Sequence, residues 1–210
     1  ALLGAGTDKL AEELKKYFPD TPLFQINSDA TPTAKKALDE ARKFEKTRGA
    51  ILLGTEMALR YIEEPVDYSA ITSVDSMFSI PDFRINEKIL GLILDTQSKA
   101  TKHFLLQTKK EKEVLFDYAV SGNLLEFFRT ELEERQALPY PPFGKLIKVS
   151  INGNRDYVTE ALAQIMTVLK EYHPLVVPSF ESQTKKYTVS IVLKLPTKIL
   201  DPKLKELLLA

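Results

Sequence analysis

No cysteine occurs among the 210 residues. Disulfides and thiolate metal sites are therefore excluded within this chain, while the redox compartment stays open. Histidine is almost as scarce. His103 and His173 are the two present, too few for a histidine-rich metal centre. Long apolar runs are missing as well. Each falls far short of the roughly 20 residues that span a bilayer, so no membrane partner is expected. No charged-then-apolar signal segment opens the chain. The first residue is Ala1 rather than methionine, which fits a processed or excised piece of a longer protein.

What is present is ordinary globular material, 44% hydrophobic and 28% charged. The length allows one large domain or two smaller ones. Net charge is zero, but it is spread unevenly. Residues 1–135 hold 19 Lys/Arg against 23 Asp/Glu, and residues 136–210 hold 10 against 6. Two readings are open: chance fluctuation, or a modest polyanion-facing surface on the C-terminal part.

The sharpest boundary signal is LPYPPFG, Leu138 to Gly144. Three prolines followed by glycine cannot continue a helix. A helical pattern, LLEFFRTELEERQAL, precedes it and a strand-like one, KLIKVSIN, comes after it. The boundary is expected near residue 136, giving domains 1–135 and 136–210. In the first, DKLAEELKKYF has helical spacing, with Leu10, Leu14, Tyr17 and Phe18 on one face. LFQIN reads as a strand. TAKKALDEARKFE reads as a helix, with Thr31 as N-cap and Pro32 at its first position. GAILLGTEM carries a buried-type parallel strand. AITSVDSM reads as a strand, NEKILGLIL as a helix, and HFLLQT as a strand. VLFDYAVSGNLLEFFRTELEERQAL reads as one or two helices broken near Ser121–Gly122. Alternating elements favour a mostly parallel α/β sheet covered on both faces. The second part reads β-α-β-β-α, a small antiparallel or mixed sheet with helices on one face.

Several short motifs could carry function. GAGTDKLAEEL places a glycine turn and Thr7 ahead of a helix, either an anion cradle or a structural turn with an N-cap. Gly54 and Thr55 come just after a buried-type strand, where open α/β sheets bind ligands. Asp75 in SVDSM is similar: a carboxylate there can bind metal, orient a base or cap a loop. In IPDFR, Asp82 reads as a helix cap, and Arg84 reads as either a phosphate contact or an acid's partner. GLILDTQSKATKHFLLQT, from Gly91 to Thr108, reads as helix, polar connector and strand.

The order GAGTDKLAEEL, ILLGTEM, VDSMFSIPDFR with NEK, FLLQT and ELEERQALPYPPFGKL resembles the primosomal protein N′ (PriA) family, superfamily 2 DNA helicases of replication restart. The resemblance covers essentially the whole chain. YPPFG after the ELEER helix, and PDFR at this distance from GTEM, are its most specific parts. It implies a RecA-like parallel-sheet helicase lobe, the second of two, followed by a small α+β C-terminal domain. Family members also carry an N-terminal DNA-binding domain, a winged helix, a first lobe with Walker motifs and a zinc-binding insertion. ATP with magnesium and structural zinc are thus expected in a full-length active member, and no cofactor in this chain. The resemblance also departs from the family pattern. The family's GTQM is GTEM here, and Tyr61 stands where a glycine is expected. Its D-A-D is reduced to Asp75. Its QVAGRAGR falls on LDTQSKAT, which has no arginine; Lys99 and Lys102 are the nearby cations. Lysine lacks the planar fork that arginine offers a transferring phosphate, and an arginine finger is worth on the order of 10³–10⁵ in rate.

The resulting expectation is a replication-restart module that binds forked or single-stranded DNA, with weakened or absent ATPase activity and a cytoplasmic location. Replication-restart proteins are expected as further partners. Gly54, Thr55, Asp75, Lys99 and Lys102 would lie near nucleotide. Thr7, Lys9, Arg60, Arg84, Lys145, Lys148, Lys185 and Lys186 would contact DNA. The alternative is an interaction scaffold without DNA affinity, presenting an apolar patch around Leu138–Phe143 or the FF of LLEFFRT. No constellation of nucleophile, base and orienter supports a small-molecule enzyme.

Overall fold

The computed structural model describes residues 3–181, 186–196 and 201–209. The chain divides into two compact units, Ala1–Gly122 and Asn123–Ala210. The first is an α/β unit: α1 (Leu3–Tyr17), β1 (Leu23–Ile26), α2 (Ala34–Lys46), β2 (Ile51–Gly54), β3 (Val66–Ile71), α3 (Ile85–Ser98), β4 (Ala100–Leu106) and α4 (Val114–Ser121). Short 3₁₀ turns occupy Glu56–Arg60 and Asp75–Ser79. β1 pairs in parallel with β2, and β3 with β4, as two separate two-stranded ladders.

Helix α2 covers the first ladder. Ala37 and Ala41 are fully buried against Ile26 and Ala58. Alanine at both positions lets the helix backbone lie close to the strands. Phe24 meets Phe44 edge-on at 6.1 Å. The cap of this helix differs from expectation. Thr33, not Thr31, is the N-cap and accepts from the Lys36 amide. Thr31 is instead buried and donates its hydroxyl to the Asn27 carbonyl at 2.9 Å. The loop's internal bonds fix Thr31, so the cap passes to Thr33.

Three other expectations shift. Gly4, Gly6 and Thr7 lie inside α1 rather than in a turn ahead of it. A helical glycine costs only about 1 kcal/mol, and the Leu10–Ala11–Leu14 stripe outweighs it, with Ala11 buried. The third strand is VDYSAI, not AITSVDSM. Pairing with β4 ends at Ile71, and the chain then turns around fully buried Val74. The polar connector after NEKILGLIL is the last turn of α3, which runs to Ser98, with β4 starting at Ala100. Thr96 explains this. Its hydroxyl donates back to the Leu92 carbonyl at 2.7 Å, and its own carbonyl accepts from the Ser69 hydroxyl at 2.8 Å. The helix end is thereby held on β3.

The second unit contains α5 (Leu124–Ala137), β5 (Lys145–Gly153), α6 (Arg155–Leu169), β6 (Leu175–Glu181), β7 (Lys186–Leu195) and α7 (Pro202–Leu209). A break in the helical run does fall at Gly122, which has a left-handed backbone. Helix α5 groups with the C-terminal elements rather than with the α/β unit; a division near residue 136 and one at Gly122 differ by this helix. The LPYPPFG segment links α5 to β5. Gly144 has no room for a side chain there, because a Cβ would press on the carbonyl oxygens of Pro139 and Leu195. The sheet order is β5-β7-β6, antiparallel throughout. Ile151, Val189, Ile191, Leu193 and Leu195 face one way and form a core with Val158, Leu169 and Leu204 from α6 and α7. The start of α7 is latched by Tyr172, whose hydroxyl donates to Asp201 at 2.7 Å; that carboxylate pushes the phenol's pKa up to about 12.

Two interactions fix the strand ends of the first unit. At Gly54, a Cβ would lie 2.5 Å from Ala58 Cβ and 2.8 Å from the Ile26 carbonyl oxygen. At Asp75, one carboxylate oxygen accepts from the Thr108 hydroxyl at 2.6 Å and the other from the Lys109 amide at 3.0 Å. The Thr108 bond, then the Lys109 amide, hold this carboxyl below its usual pKa. Gly54→Ala should destabilise the protein by about 1–3 kcal/mol through overpacking, read by urea denaturation. For Asp75, the folded-state pKa is lowered, so its stabilisation is present above the unfolded value of about 3.9 and is lost as pH falls through the folded one. Asp75→Ala should therefore lower Tm at neutral pH, and the gap to the parent should close as pH drops below about 4.

Candidate nucleic-acid interface

In parallel α/β sheets, ligands gather at the carboxyl ends of strands. Gly54 and Thr55 lie just past β2, and Thr55 is exposed. The Thr55 amide donates to the Ile26 carbonyl at 3.2 Å, which ties this edge to β1. Arg60 ends the following 3₁₀ turn and is exposed. Asp75 and Thr108 join the carboxyl ends of β3 and β4. Farther along, Asp82 accepts from the Arg84 amide at 3.0 Å and pairs with Lys88 at 2.5 Å. It brackets the start of α3 in this way, although the assigned cap position is Arg84. The Lys88 hydrogen bond chiefly keeps the Asp82 carboxyl below its usual range. The Arg84 guanidinium has its Nε 3.6 Å from Asp82 and sits over the Phe83 ring at 5.5 Å. It remains half-exposed.

Lys99 and Lys102 stand elsewhere. They flank the amino end of β4, whereas Gly54, Thr55 and Asp75 lie at the carboxyl ends of their strands. At about 3.3 Å per residue, the length of β3–β4 separates Lys102 from Asp75 by roughly 20 Å. Both ammonium groups already have partners. Lys99 donates to the Ile62 carbonyl at 2.5 Å. Lys102 pairs with Asp67 at 2.8 Å, which raises the lysine's pKa and lowers the acid's. With Asp75 held by Thr108 and Lys109, these side chains do not fit a clamp on ATP and magnesium. Among the described residues, no group of three His, Asp or Glu side chains is placed to hold a metal.

The remaining cations are dispersed. Thr7 and Lys9 lie on α1, with Lys9 exposed. Lys145 and Lys148 both belong to β5, but an odd offset puts them on opposite faces of the sheet. Lys145 shares the register of the core residues, and exposed Lys148 points to the other face. Lys185 lies outside the described residues. Lys186 opens β7, its backbone in register with that of Glu181 on β6.

Two features escaped the sequence reading. Lys194 is in register with Leu146 on the same outer face as Lys148, and its ammonium sits 3.9 Å from the Tyr140 ring centroid. Period-two counting along KYTVSIVLKL could have found its face, but not the tyrosine. Tyr68 and His103 stack at 5.9 Å as cross-strand partners on β3 and β4, with Lys102 beside the ring at 5.8 Å. No local sequence signal joins residues so far apart in the chain.

No family model matches the chain. It is similar to several proteins named replication restart protein PriA. That of Chlamydia trachomatis is 28% identical over 175 residues, covering 80% of this chain and 23% of the relative. That of Thermotoga maritima is 25% identical, with 80% and 23% covered. That of Bacillus subtilis is 27% identical, with 71% and 19% covered. The chain thus spans about a quarter or less of the length of these relatives. Together these similarities link the chain to the PriA family of replication restart proteins.

Proposed function

We propose that this chain is a DNA-facing module of replication restart. In this reading, residues 1–135 form a RecA-like second helicase lobe and residues 136–210 a C-terminal α+β domain, with weak or absent ATP hydrolysis. One observation carries the loss of hydrolysis. The segment that resembles the family's QVAGRAGR has no arginine; its one lysine, Lys99, is spent on the Ile62 carbonyl, and Lys102, just past it, on Asp67. A lysine already neutralised by a carboxylate offers little to a phosphate. Support for DNA comes from the excess of cations in residues 136–210 and from exposed Arg60, Arg84, Lys148 and Lys194. Such groups position a protein on phosphates without reading sequence.

The alternative, a protein-interaction scaffold, is favoured by α5. Leu125, Phe128 and Leu132 are 83%, 49% and 44% exposed and recur at i, i+3 and i+7, one face of a helix.

Binding to forked DNA, titrated across salt, decides between the two. The DNA reading expects affinity that falls steeply with salt. Lys148→Ala should weaken binding about equally for all sequences and reduce the salt slope by about 1. Absence of binding at low salt would favour the scaffold. In the full-length protein, ATP turnover with forked DNA should stay far below that of an ordinary helicase; matching turnover would refute the loss of hydrolysis.

A further inference from the structure

Alternation along β3 and β4 gives this ladder two unlike faces. The Ser69 hydroxyl donates to the Thr96 carbonyl near the end of α3, so the face of Ser69 lies against that helix. Phe104 and Leu106, in register with Ser69 and Ile71, share this face and are half-buried. Tyr68 and Ala70 fall on the opposite face, in register with His103 and Leu105. All of these are exposed, Tyr68 by 61% and Leu105 by 62%. The Tyr68 ring is nevertheless supported. The His103 imidazole lies against it at 5.9 Å between centroids, with the planes 20° apart. The adjoining strand ends are braced: Asp67 accepts from Lys102 at 2.8 Å, and the Thr101 hydroxyl donates to the Val66 carbonyl at 3.2 Å. A ring supported before anything binds loses less freedom when a ligand lies on it. Ala70, next along the same face, adds little bulk beside it.

From this geometry we propose that the Tyr68–His103 pair is a stacking platform for an unpaired nucleobase. Exposed aromatic rings offer a π-surface, and every base has a matching face, so the site takes a base without reading its identity. Size favours this ligand over a protein partner. A standard protein interface covers about 800 Å² on each side, whereas this face consists of Tyr68, Ala70, His103 and Leu105. A single planar ring system is of that scale. The cation beside the ring sets how such binding responds to salt. Lys102 stands 5.8 Å from the Tyr68 centroid but is already paired with Asp67. A neutralised lysine releases little counterion, so stacking at Tyr68 adds affinity with almost no salt dependence, unlike contacts to phosphate. Bases in a duplex have their faces covered by neighbouring bases, so the platform favours single strands. The proposal rests on the DNA reading above for the strand that delivers the base.

Binding of strands with and without bases tests this. Oligothymidine and an abasic strand of equal length carry the same phosphates, and only the first can stack. Tyr68→Leu keeps apolar bulk on β3 and removes the π-face, whereas Tyr68→Phe keeps both. In the 210-residue chain, Tyr68→Leu should weaken oligothymidine binding by about tenfold, the scale of one stacked base. The salt slope and the binding of the abasic strand should not change. Tyr68→Phe should bind as the parent does. Equal weakening for both strands would mean that the substitution acts through the fold. Unchanged oligothymidine binding would mean that no base lies on Tyr68. Either result overturns the platform and leaves the DNA reading standing. A parent protein that binds neither strand would overturn the DNA reading, and free adenosine then decides the platform by itself. Its addition should shift the ring resonances of Tyr68 and His103, and resonances that stay fixed would overturn the platform too.

Discussion

Parallel backbone pairing is the constraint on which the first unit depends. It sets β1 beside β2 and β3 beside β4 in fixed register, and it aligns the carboxyl ends within each ladder. Everything with chemical potential in this unit is then sorted by which strand end it adjoins. Gly54, Thr55, Arg60 and Asp75 fall at one end. Lys99 and Lys102 fall at the other. A short separation in sequence, as between Asp75 and Lys99, becomes a long one in space because a whole helix and strand direction lie between them.

The same pairing explains why so much of the polar chemistry is internal. Strand ends expose unpaired backbone and need closing. Asp75 closes one such end by accepting from Thr108 and Lys109. Lys99 closes another by donating to Ile62. Lys102 and Asp67 neutralise each other across the ladder. The charged groups at these strand ends are spent on holding the unit's own loops. Packing at Ile26, Ala37 and Ala41 asks nothing of the strand-end charges.

The second unit obeys a different rule. Its antiparallel sheet has one face packed on α6 and α7 and another that carries Lys148, Lys194, Ser150 and Thr188 in register. Alternation alone separates core from surface there. That is why the element order β-α-β-β-α was legible from the sequence, along with the helix break at Gly122 and the proline-rich link. Local reading failed where a distant partner decides the outcome. Thr31 yielded the cap to Thr33 because Asn27 claims it. The helix α3 swallowed its polar tail because Ser69, on another strand, holds the Thr96 carbonyl. The strand after Pro65 began early because β4 was there to pair with it.

By itself, the sequence determined the periodicities, the punctuation by proline and glycine, the exclusion of disulfides and the absence of arginine in the LDTQSKAT stretch. These depend on residue type and spacing, which need no partner. The tertiary structure alone decided which lysines are already paired and that Lys194 lies over the Tyr140 ring. Those are properties of residues far apart in the chain, brought together by pairing that no window of sequence contains.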